Sequence, residues 1–438
     1  MKKTKKHIIA ISLLTAIASS CNLPLSSDKA LGNGPSNPSP AVDTTSQEQR
    51  APEHRIGVRV VNGVGEFYDK VTGIKFVPRG MNYTVMGAQQ NMAGGTVISH
   101  ATFAPGIYNR QLANQALADM HGSGYNTVRV FIETTTKTSI SGTSGLSDPY
   151  LDNVADFLGL AAANQMYVIF VTDWIADSPP YNQIIARECC DTFDSSNAVH
   201  LSASGVEASG RFYGDFVKEL IERNAPVDTV FSFNVSNELA FDSNEPPLAW
   251  NSGTVSLGNG QTYDMAKTED KKRIIDEGLV YYIDQVRQAI LAQDPTALVG
   301  VGFFAPQEPN PFRIGDTRII RTYAAIWLSQ ADYIDLHAYP NPKDLTLAQH
   351  MENYEANGML VKPIMMGEYG AFTFAFSSPQ EAALALRAWQ VESCSFGFDG
   401  WLMWTWDNEF NGEMYSALSD NGAINGALAP VLNPDPCF

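Results

Sequence analysis

The sequence predicts an α/β protein that closes into a (β/α)8 barrel of the TIM type. Short apolar runs alternate with helix-like segments along most of the chain, and this alternation is typical of βα units around a parallel sheet. Eight such runs are present, which is the number of strands that closes the barrel. A chain of 438 residues is long enough for one such domain with long loops.

The predicted strands are short and apolar, and the segments between them carry apolar residues at helical spacing. The strands span residues 75–78, 127–132, 168–172, 230–235, 297–302, 333–336, 363–366 and 400–404. Phe212, Phe216 and Leu220 form one helical stripe. Ser378 followed by Pro379 is typical of a helix start.

Glycine turns ahead of the first strand, in residues 58–73, predict a small N-terminal β-hairpin that covers the floor of the barrel.

Loops rich in Pro, Gly, Asn and Ser are predicted after strands three, four and five, over residues 175–210, 240–267 and 303–317. Because these long loops follow the strands, they lie at the carboxyl face of the barrel, where a cleft is built.

The first 20 residues are typical of a signal peptide. Four lysines at positions 2, 3, 5 and 6 precede an apolar stretch at 8–18, which is too short to cross a bilayer stably. Cys21 follows two small residues and resembles the lipidated cysteine of a bacterial lipoprotein, with ordinary secretion as the alternative. We therefore expect an exported protein, either a lipoprotein of the bacterial cell envelope or a secreted one.

Residues 21–55 are predicted to be a flexible tether, because they are rich in Ser, Pro, Asn, Gly and Gln and almost free of aromatic residues. The folded domain is expected over residues 56–438.

The net charge of −18 argues against nucleic-acid partners, since such a chain repels phosphate backbones. We expect a monomer that meets the membrane only through a lipid on Cys21.

Four cysteines follow Cys21, and an even number in an exported protein favours one or two disulfides. Direct pairing of the adjacent Cys189 and Cys190 is expected to strain the bridge, so more distant partners are favoured. The pairing with Cys394 and Cys437 is left open. The spacing of the four matches no zinc pattern, and no metal site is predicted.

Two glutamates stand at the ends of predicted strands. Glu238 follows strand four in VFSFNVSNEL, and Glu368 follows strand seven in PIMMGEYG. The carboxyl ends of barrel strands face one cleft, so both side chains are expected there. Glycoside cleavage needs one carboxylic acid to protonate the leaving oxygen and one carboxylate to attack or to activate water. The pair therefore indicates glycoside hydrolysis.

Other strand ends carry side chains that suit the same cleft. Arg129 lies on strand two, and a buried arginine needs a carboxylate partner. His337 and Tyr339 end strand six. Trp404 ends strand eight, and a tryptophan face suits the apolar face of a sugar ring. A structural ion pair for Arg129 and core packing for His337 and Trp404 are the alternatives.

Together these residues resemble the retaining glycoside hydrolases of the cellulase-like clan, and family 5 most closely, over about residues 74–410. The resemblance implies that Asn237 contacts a sugar 2-hydroxyl, that Glu238 is the catalytic acid/base and that Glu368 is the catalytic nucleophile. Four further residues match substrate-contacting positions of the family, namely Arg129, His337, Tyr339 and Trp404.

Strand three departs from the endoglucanase pattern, in which many members carry a histidine near its end. Here the strand ends in Asp173 and Trp174, which is similar to the Asn-Trp pair of fungal and plant β-mannanases, and the segment around Asn82 also fits that group. The resemblance therefore favours a β-1,4-mannan or related β-glycan, with Asp173 and Trp174 lining a glycone-side subsite. An endo-β-glucanase, an exo-acting β-glycosidase and a non-catalytic glycan-binding protein are the alternatives.

The expected reaction is a double displacement on a polysaccharide or oligosaccharide, with Glu238 protonated at rest and Glu368 ionised. Arg129 and a hydrogen bond from Tyr339 would hold Glu368 in its charged form. The reaction requires no metal and no organic cofactor. The sequence contains no HExxH, GxSxG or phosphate-binding glycine loop, so metalloprotease, serine-hydrolase and nucleotide-binding functions lack support.

Overall fold

The computed structural model describes residues 53–84, 86–91, 94–97, 100–304, 317–356, 360–407, 412–434 and 436–437. The predictions for the signal peptide, for Cys21 and for nearly all of the tether lie outside these residues. The described residues belong to one compact unit that spans Gln49–Phe438. Within them, each helix is too short or too polar to cross a bilayer.

The strands are numbered in chain order. They are β1 (Ile56–Val61), β2 (Val64–Asp69), β3 (Arg79–Asn82), β4 (Gln89–Gln90), β5 (Thr96–Val97), β6 (Thr127–Phe131), β7 (Tyr167–Val171), β8 (Val230–Asn234), β9 (Phe241–Asp242), β10 (Thr254–Ser256), β11 (Thr262–Asp264), β12 (Val299–Phe303), β13 (Arg318–Ile319), β14 (Tyr333–His337), β15 (Ile364–Phe372), β16 (Phe398–Trp404) and β17 (Met414–Tyr415). Eight of them, β3, β6, β7, β8, β12, β14, β15 and β16, pair in parallel, and the β14–β15 pairing closes the barrel. The predicted (β/α)8 barrel is therefore confirmed.

Helices follow the barrel strands and cover their outer faces. They are α1 (Arg110–Gly122), α2 (Asp148–Ala163), α3 (Pro179–Ile185), α4 (Ser195–His200), α5 (Ala203–Glu222), α6 (Thr268–Gln293), α7 (Thr322–Trp327), α8 (Leu347–Asn353), α9 (Pro379–Ser393) and α10 (Ser419–Leu428). The predicted stripe of Phe212, Phe216 and Leu220 is buried on α5. The predicted start of α9 is also confirmed, because the Ser378 hydroxyl accepts a hydrogen bond from the Glu381 N–H.

The first barrel strand lies later in the chain than predicted. Lys75 forms only an isolated bridge with Tyr68 of the hairpin, and the barrel ladder starts at Arg79, opposite Trp401. The prediction over 75–78 was wrong because Pro78 lacks the N–H that a ladder needs. As a consequence Asn82, rather than Pro78, stands at the carboxyl end of this strand.

The N-terminal hairpin of β1 and β2 is present, as predicted. Its turn is Asn62-Gly63, and both residues have positive φ angles, of 52° and 84°. Phe67 of β2 is fully buried, and its ring lies 5.0 Å from that of Phe231 and 5.5 Å from that of Tyr333. The hairpin therefore seals the amino end of the barrel with apolar side chains.

The long segments after β7 and β8 hold more regular structure than predicted. Residues 175–210 contain α3, α4 and the first turns of α5, so the prediction of a loop as far as residue 210 was wrong. Helix α5 begins at Ala203, because the Ser202 hydroxyl accepts a hydrogen bond from the Gly205 N–H at 2.8 Å and caps it. Residues 240–267 contain the β10–β11 hairpin. Most of the predicted loop 303–317 lies outside the described residues.

The structure pairs the cysteines differently from the prediction. Cys394 and Cys437 are disulfide-bonded with a Cα separation of 5.3 Å, which is within the usual range. Cys189 and Cys190 are bonded to each other, so the expectation of distant partners for them was wrong. The physical reason is that the two later cysteines lie side by side in the fold and use each other.

Candidate active site

Arg129 of β6 lies at the centre of the carboxyl end of the barrel and is fully buried. Its Nη1 donates hydrogen bonds to Glu368 Oε1 at 2.6 Å and to Asn82 Oδ1 at 3.0 Å. Its Nη2 donates to Asn237 Oδ1 at 2.6 Å. The planar guanidinium therefore fixes three strand-end side chains relative to one another.

The strand register explains why these side chains meet. Asn82 of β3 lies opposite Arg129 of β6, and His337 of β14 lies opposite Glu368 of β15. All four positions are at or near the carboxyl ends of parallel strands, which converge on one opening. Residues that are far apart in the chain are therefore neighbours in the fold.

Both oxygens of Glu368 are occupied by donors. Arg129 binds Oε1, and the Tyr339 hydroxyl donates to Oε2 at 2.7 Å. The side chain is almost completely buried. The residue before Glu368 is Gly367, whose N–H donates to Asp335 at 2.7 Å. Glycine is required at this position because a Cβ would lie 2.0 Å from the Asp335 carboxylate. These contacts fix the position and orientation of the Glu368 carboxyl group.

Asp335 and His337 form a buried charged layer below the two glutamates. Burial opposes the charge on His337, but Glu368, Asp335 and a hydrogen bond to Glu238 outweigh it and raise the pKa of His337 to about 10. Burial also opposes the charge on Asp335, but His337 and Arg129 outweigh it and hold the pKa of Asp335 below its usual value. His337 is therefore an imidazolium at neutral pH.

Glu238 lies at the mouth of this layer and is the more accessible of the two glutamates. Its side chain is 32% exposed, against 6% for Glu368. His337 Nδ1 lies 3.0 Å from Glu238 Oε1 and 3.5 Å from Glu368 Oε2. One oxygen of each glutamate and a ring nitrogen of His337 all lie within 4.8 Å of one another. The two carboxyl groups thus face each other across a short gap.

Asp173 and Trp174 lie beside this gap, at the end of β7. Asp173 is 40% exposed, and its Oδ2 lies 3.3 Å from His100 Nδ1. Loss of solvent and the charge of Glu238 raise the pKa of Asp173 to about 6. The Trp174 ring is half-buried and stacks on His200 with a centroid distance of 6.4 Å. Asp173 is therefore in reach of the central cluster, whereas the ring contact of Trp174 is with His200 of α4.

Trp404, at the end of β16, is half-buried and faces the cleft from the other side. Its ring makes an edge contact with Phe131 at 5.7 Å, and the Arg129 guanidinium lies over the same Phe131 ring at 5.0 Å. His100 stacks on Phe131 as well, at 3.8 Å. Trp404, Phe131 and His100 therefore form one aromatic wall beside Arg129.

Within the part of the chain that the structure describes, two groups of side chains come close enough to suggest metal ligands. Glu238, His337 and Glu368 form the first, but both Glu368 oxygens already accept hydrogen bonds, from Arg129 and from Tyr339. Cys189 and Cys190 belong to the second, but their sulfurs are bonded to each other. Neither donor set suits a metal ion.

Three residues of the site were missed by the sequence prediction. Asp335 was detectable, since alternation along a strand places it on the same face as His337. Asn82 was noted only for its resemblance, because the first strand was placed too early. His100 carries no pattern in the sequence, and it reaches the site through its ring contact with Phe131 and through the approach of its Nδ1 to Asp173 at 3.3 Å.

Comparison with known proteins identifies the family. A family model for cellulase (glycosyl hydrolase family 5) matches residues 86–410. The chain belongs to glycosyl hydrolase family 5. It is therefore an O-glycosyl hydrolase, and Glu238 and Glu368 supply the two carboxyl groups that this class of enzyme needs.

Solved structures of distant relatives share the fold of this family 5 chain. An exo-β-1,4-mannosidase from Opitutaceae bacterium strain TAV5 is 14% identical with a TM-score of 0.56, and the match covers 86% of this chain and 62% of that one. An endo-β-1,4-mannanase from Thermotoga petrophila is 13% identical with a TM-score of 0.53, covering 83% and 78%. An endocellulase from Pyrococcus horikoshii in complex with cellotetraose is 12% identical with a TM-score of 0.51, covering 88% and 100%.

No curated protein sequence matches this chain. The chain spans 62% of the length of the mannosidase named above. At these identities the likeness extends to the fold alone.

Proposed function

We propose that this family 5 protein is a retaining hydrolase of β-linked polysaccharides or oligosaccharides. The observation that carries the proposal is the close approach of Glu238 to Glu368, whose nearest ligand oxygens lie within 4.8 Å. Retaining glycosidases hold their carboxyl groups about 5–5.5 Å apart, whereas inverting enzymes need about 6.5–9.5 Å to admit a water. The gap here favours direct attack by a carboxylate.

In the first step Glu368 attacks the anomeric carbon while Glu238 donates its proton to the leaving oxygen. A covalent glycosyl ester forms on Glu368, and the glycosidic bond breaks. In the second step Glu238 takes a proton from water, the water attacks the same carbon, and the ester bond breaks to restore Glu368. Two inversions at one carbon give a product with the starting anomeric configuration.

The balance of charges supports these roles. Arg129 and the His337 imidazolium supply two positive charges, and the buried carboxylates of Asp335 and Glu368 supply two negative ones. Of the two glutamates Glu238 has the greater solvent access, which suits the group that exchanges a proton with the leaving oxygen and with water. Its carbonyl oxygen can accept from His337 while its O–H points to the leaving group.

For the substrate we favour a β-1,4-mannan or a related β-glycan. Asp173 and Trp174 follow β7 in the position where the sequence resembles β-mannanases, and Asp173 lies beside Glu238 and His100. Solved relatives named as mannanases and mannosidases are similar in fold, but an endocellulase is similar to nearly the same degree. The preference therefore rests on the end of β7 rather than on the fold.

The proposal is tested by incubating the purified protein with mannan, cellulose, β-1,3-glucan and xylan oligosaccharides. We expect release of products from the mannan series, and proton NMR at early times should show the β-anomer first. Initial release of the α-anomer would overturn the retaining mechanism. Cleavage of the cellulose series alone would point to an endo-β-glucanase, and binding of a glycan without any cleavage would point to a glycan-binding protein.

We also propose that the chain is exported and held at a membrane by a lipid on Cys21. The Cys394–Cys437 disulfide supports export, because such bonds persist in oxidising compartments. Mass spectrometry of the full chain expressed in a bacterium should find a lipid on the Cys21 peptide. Release of Cys21→Ala into the soluble fraction is expected, and equal partition of both forms would contradict the anchor.

A further inference from the structure

Tyr339, Phe372 and Phe374 form a row of aromatic rings that leads from the nucleophile to the open surface. The Tyr339 and Phe372 ring centroids lie 5.3 Å apart, and those of Phe372 and Phe374 lie 5.0 Å apart with an interplanar angle of 20°. At the inner end Tyr339 donates its hydrogen bond to Glu368. At the outer end Phe374 is 60% exposed.

The backbone that carries the outer rings is held in place. Phe372 lies opposite Met414 of β17 in an antiparallel ladder that extends β15 beyond the barrel. The Thr373 N–H donates to the Glu413 carbonyl at 2.8 Å. Phe374 follows β15 in a turn, which is closed by a hydrogen bond of 3.0 Å from the Ala375 N–H to the Phe372 carbonyl. A ring on a backbone held in this way loses little conformational entropy when a ligand binds it.

A single exposed apolar side chain on a protein surface needs no explanation. Leu384 on the outer face of α9 is 74% exposed and is such a case. Phe374 differs, because it is nearly parallel to Phe372 and is joined through that ring to Tyr339. Its ring therefore ends a row of contacts that begins at Glu368.

We infer that Phe372 and Phe374 form a subsite that stacks on a sugar unit of the bound chain beyond the unit that reacts. The inference rests on the proposed function and adds a specificity element to it, since neither residue touches the reacting atoms. Hexose rings present flat C–H faces that suit aromatic rings. Trp404 lies on the neighbouring strand beside the reacting centre. The row of rings that starts at Tyr339 therefore gives the bound oligosaccharide a second, separate aromatic surface.

The subsite is tested by steady-state kinetics on β-linked oligosaccharides of increasing length and on an aryl glycoside. In the unsubstituted protein kcat/KM should rise with chain length. In Phe374→Ala, kcat/KM for the longest substrates should be about three- to tenfold lower than in the unsubstituted protein. The loss should come mainly from a higher KM, because one stacking contact is removed. Phe374→Trp keeps a flat ring and should retain the rise.

Tyr323→Ala is the matched control, because Tyr323 is an aromatic residue that is 43% exposed on the outer helix α7. It should show the same length dependence as the unsubstituted protein. An equal loss on the shortest and longest substrates in Phe374→Ala, or no loss on either, would overturn the subsite while leaving the hydrolase proposal intact.

If hydrolysis is absent, the proposed function fails and the subsite is judged by binding. Calorimetry with the longest oligosaccharides should then give affinities for Phe374→Ala that are weaker by the same factor. Equal affinities of Phe374→Ala and the unsubstituted protein, or binding by neither, would overturn the subsite as well.

Discussion

At its amino end the barrel is filled by apolar and aromatic side chains, whereas at its carboxyl end the same strands carry buried charges. On β14 this change occurs within one strand, from Tyr333 to Asp335 and His337. On β15 it occurs between Met365 and Glu368. The two ends therefore share one backbone and differ in what they bury.

The difference shows how stability and chemistry are separated in this fold. Burial of the apolar floor stabilises the barrel by roughly 25 cal/mol for each Å² removed from water. Burial of ions costs desolvation energy that their mutual attraction only offsets, so the carboxyl end adds little net stability. The floor should be sensitive to changes in volume and the cleft to changes in charge.

The largest effect is expected from Glu368→Gln. This change keeps the size of the side chain but removes the nucleophilic charge, so turnover should fall by several orders of magnitude. The protein should still unfold in one cooperative transition, at a lower melting temperature, because Arg129 and His337 lose a buried carboxylate partner. Hydrolysis rates and thermal denaturation measure the two quantities. Glu392→Gln on the exposed face of α9 is the control, and substantial activity in Glu368→Gln would refute the role of nucleophile.

Phe67→Ala should produce the opposite pattern. Loss of the fully buried ring from the floor should lower the free energy of unfolding by about 3–5 kcal/mol, because it leaves a cavity between Phe231 and Tyr333. Urea denaturation measures this, with the exposed Val71→Ala as the control. The kcat of the folded fraction should be unchanged, and a fall in kcat would mean that the floor also shapes the cleft.

His337→Gln tests the charge at the carboxyl end through pH. The pKa of His337 is raised from 6.5 to about 10, so its charge stabilises the fold fully below pH 6.5, and this contribution is lost as pH rises through about 10. The variant should therefore lose stability less steeply over that range. Denaturation at several pH values measures the slope. His121→Gln on α1 should keep the original slope, and an unchanged slope in His337→Gln would contradict the buried imidazolium.

Asp173→Asn should have the smallest effect on stability. The pKa of Asp173 is raised from 3.8 to about 6, so its protonated form stabilises the fold below pH 3.8, and this contribution is lost as pH rises through about 6. The variant should melt slightly higher than the unsubstituted protein at neutral pH, but not below pH 3.8. The shift is small because water screens a side chain that is 40% exposed.

The same variant should raise KM, since Asp173 is expected to contact the substrate. Asp177→Asn, at an exposed position in the same segment, should change neither quantity. A lower melting temperature for Asp173→Asn at neutral pH would show that the charge of Asp173 stabilises the fold, and would contradict the contrast between the two ends of the barrel.

Much of this arrangement could be predicted because strands and their ends leave local signals. Glu238 and Glu368 each follow an apolar run, and the closed barrel brings both to one opening. Asp335 lies two residues before His337, so the alternation of β14 places both side chains on one face of the strand. The first strand was misplaced because an apolar run predicts burial, whereas the ladder also needs N–H groups that Pro78 lacks.

Local sequence determined the barrel class, the hairpin at its floor and the two glutamates, because these depend on side-chain periodicity and on turn residues near each position. Only the tertiary structure decided that Arg129 joins Asn82, Asn237 and Glu368, that Cys189 bonds to Cys190, and that Phe374 continues the row from Tyr339. Those contacts depend on strand register and on the approach of distant segments, which periodicity along the chain does not encode.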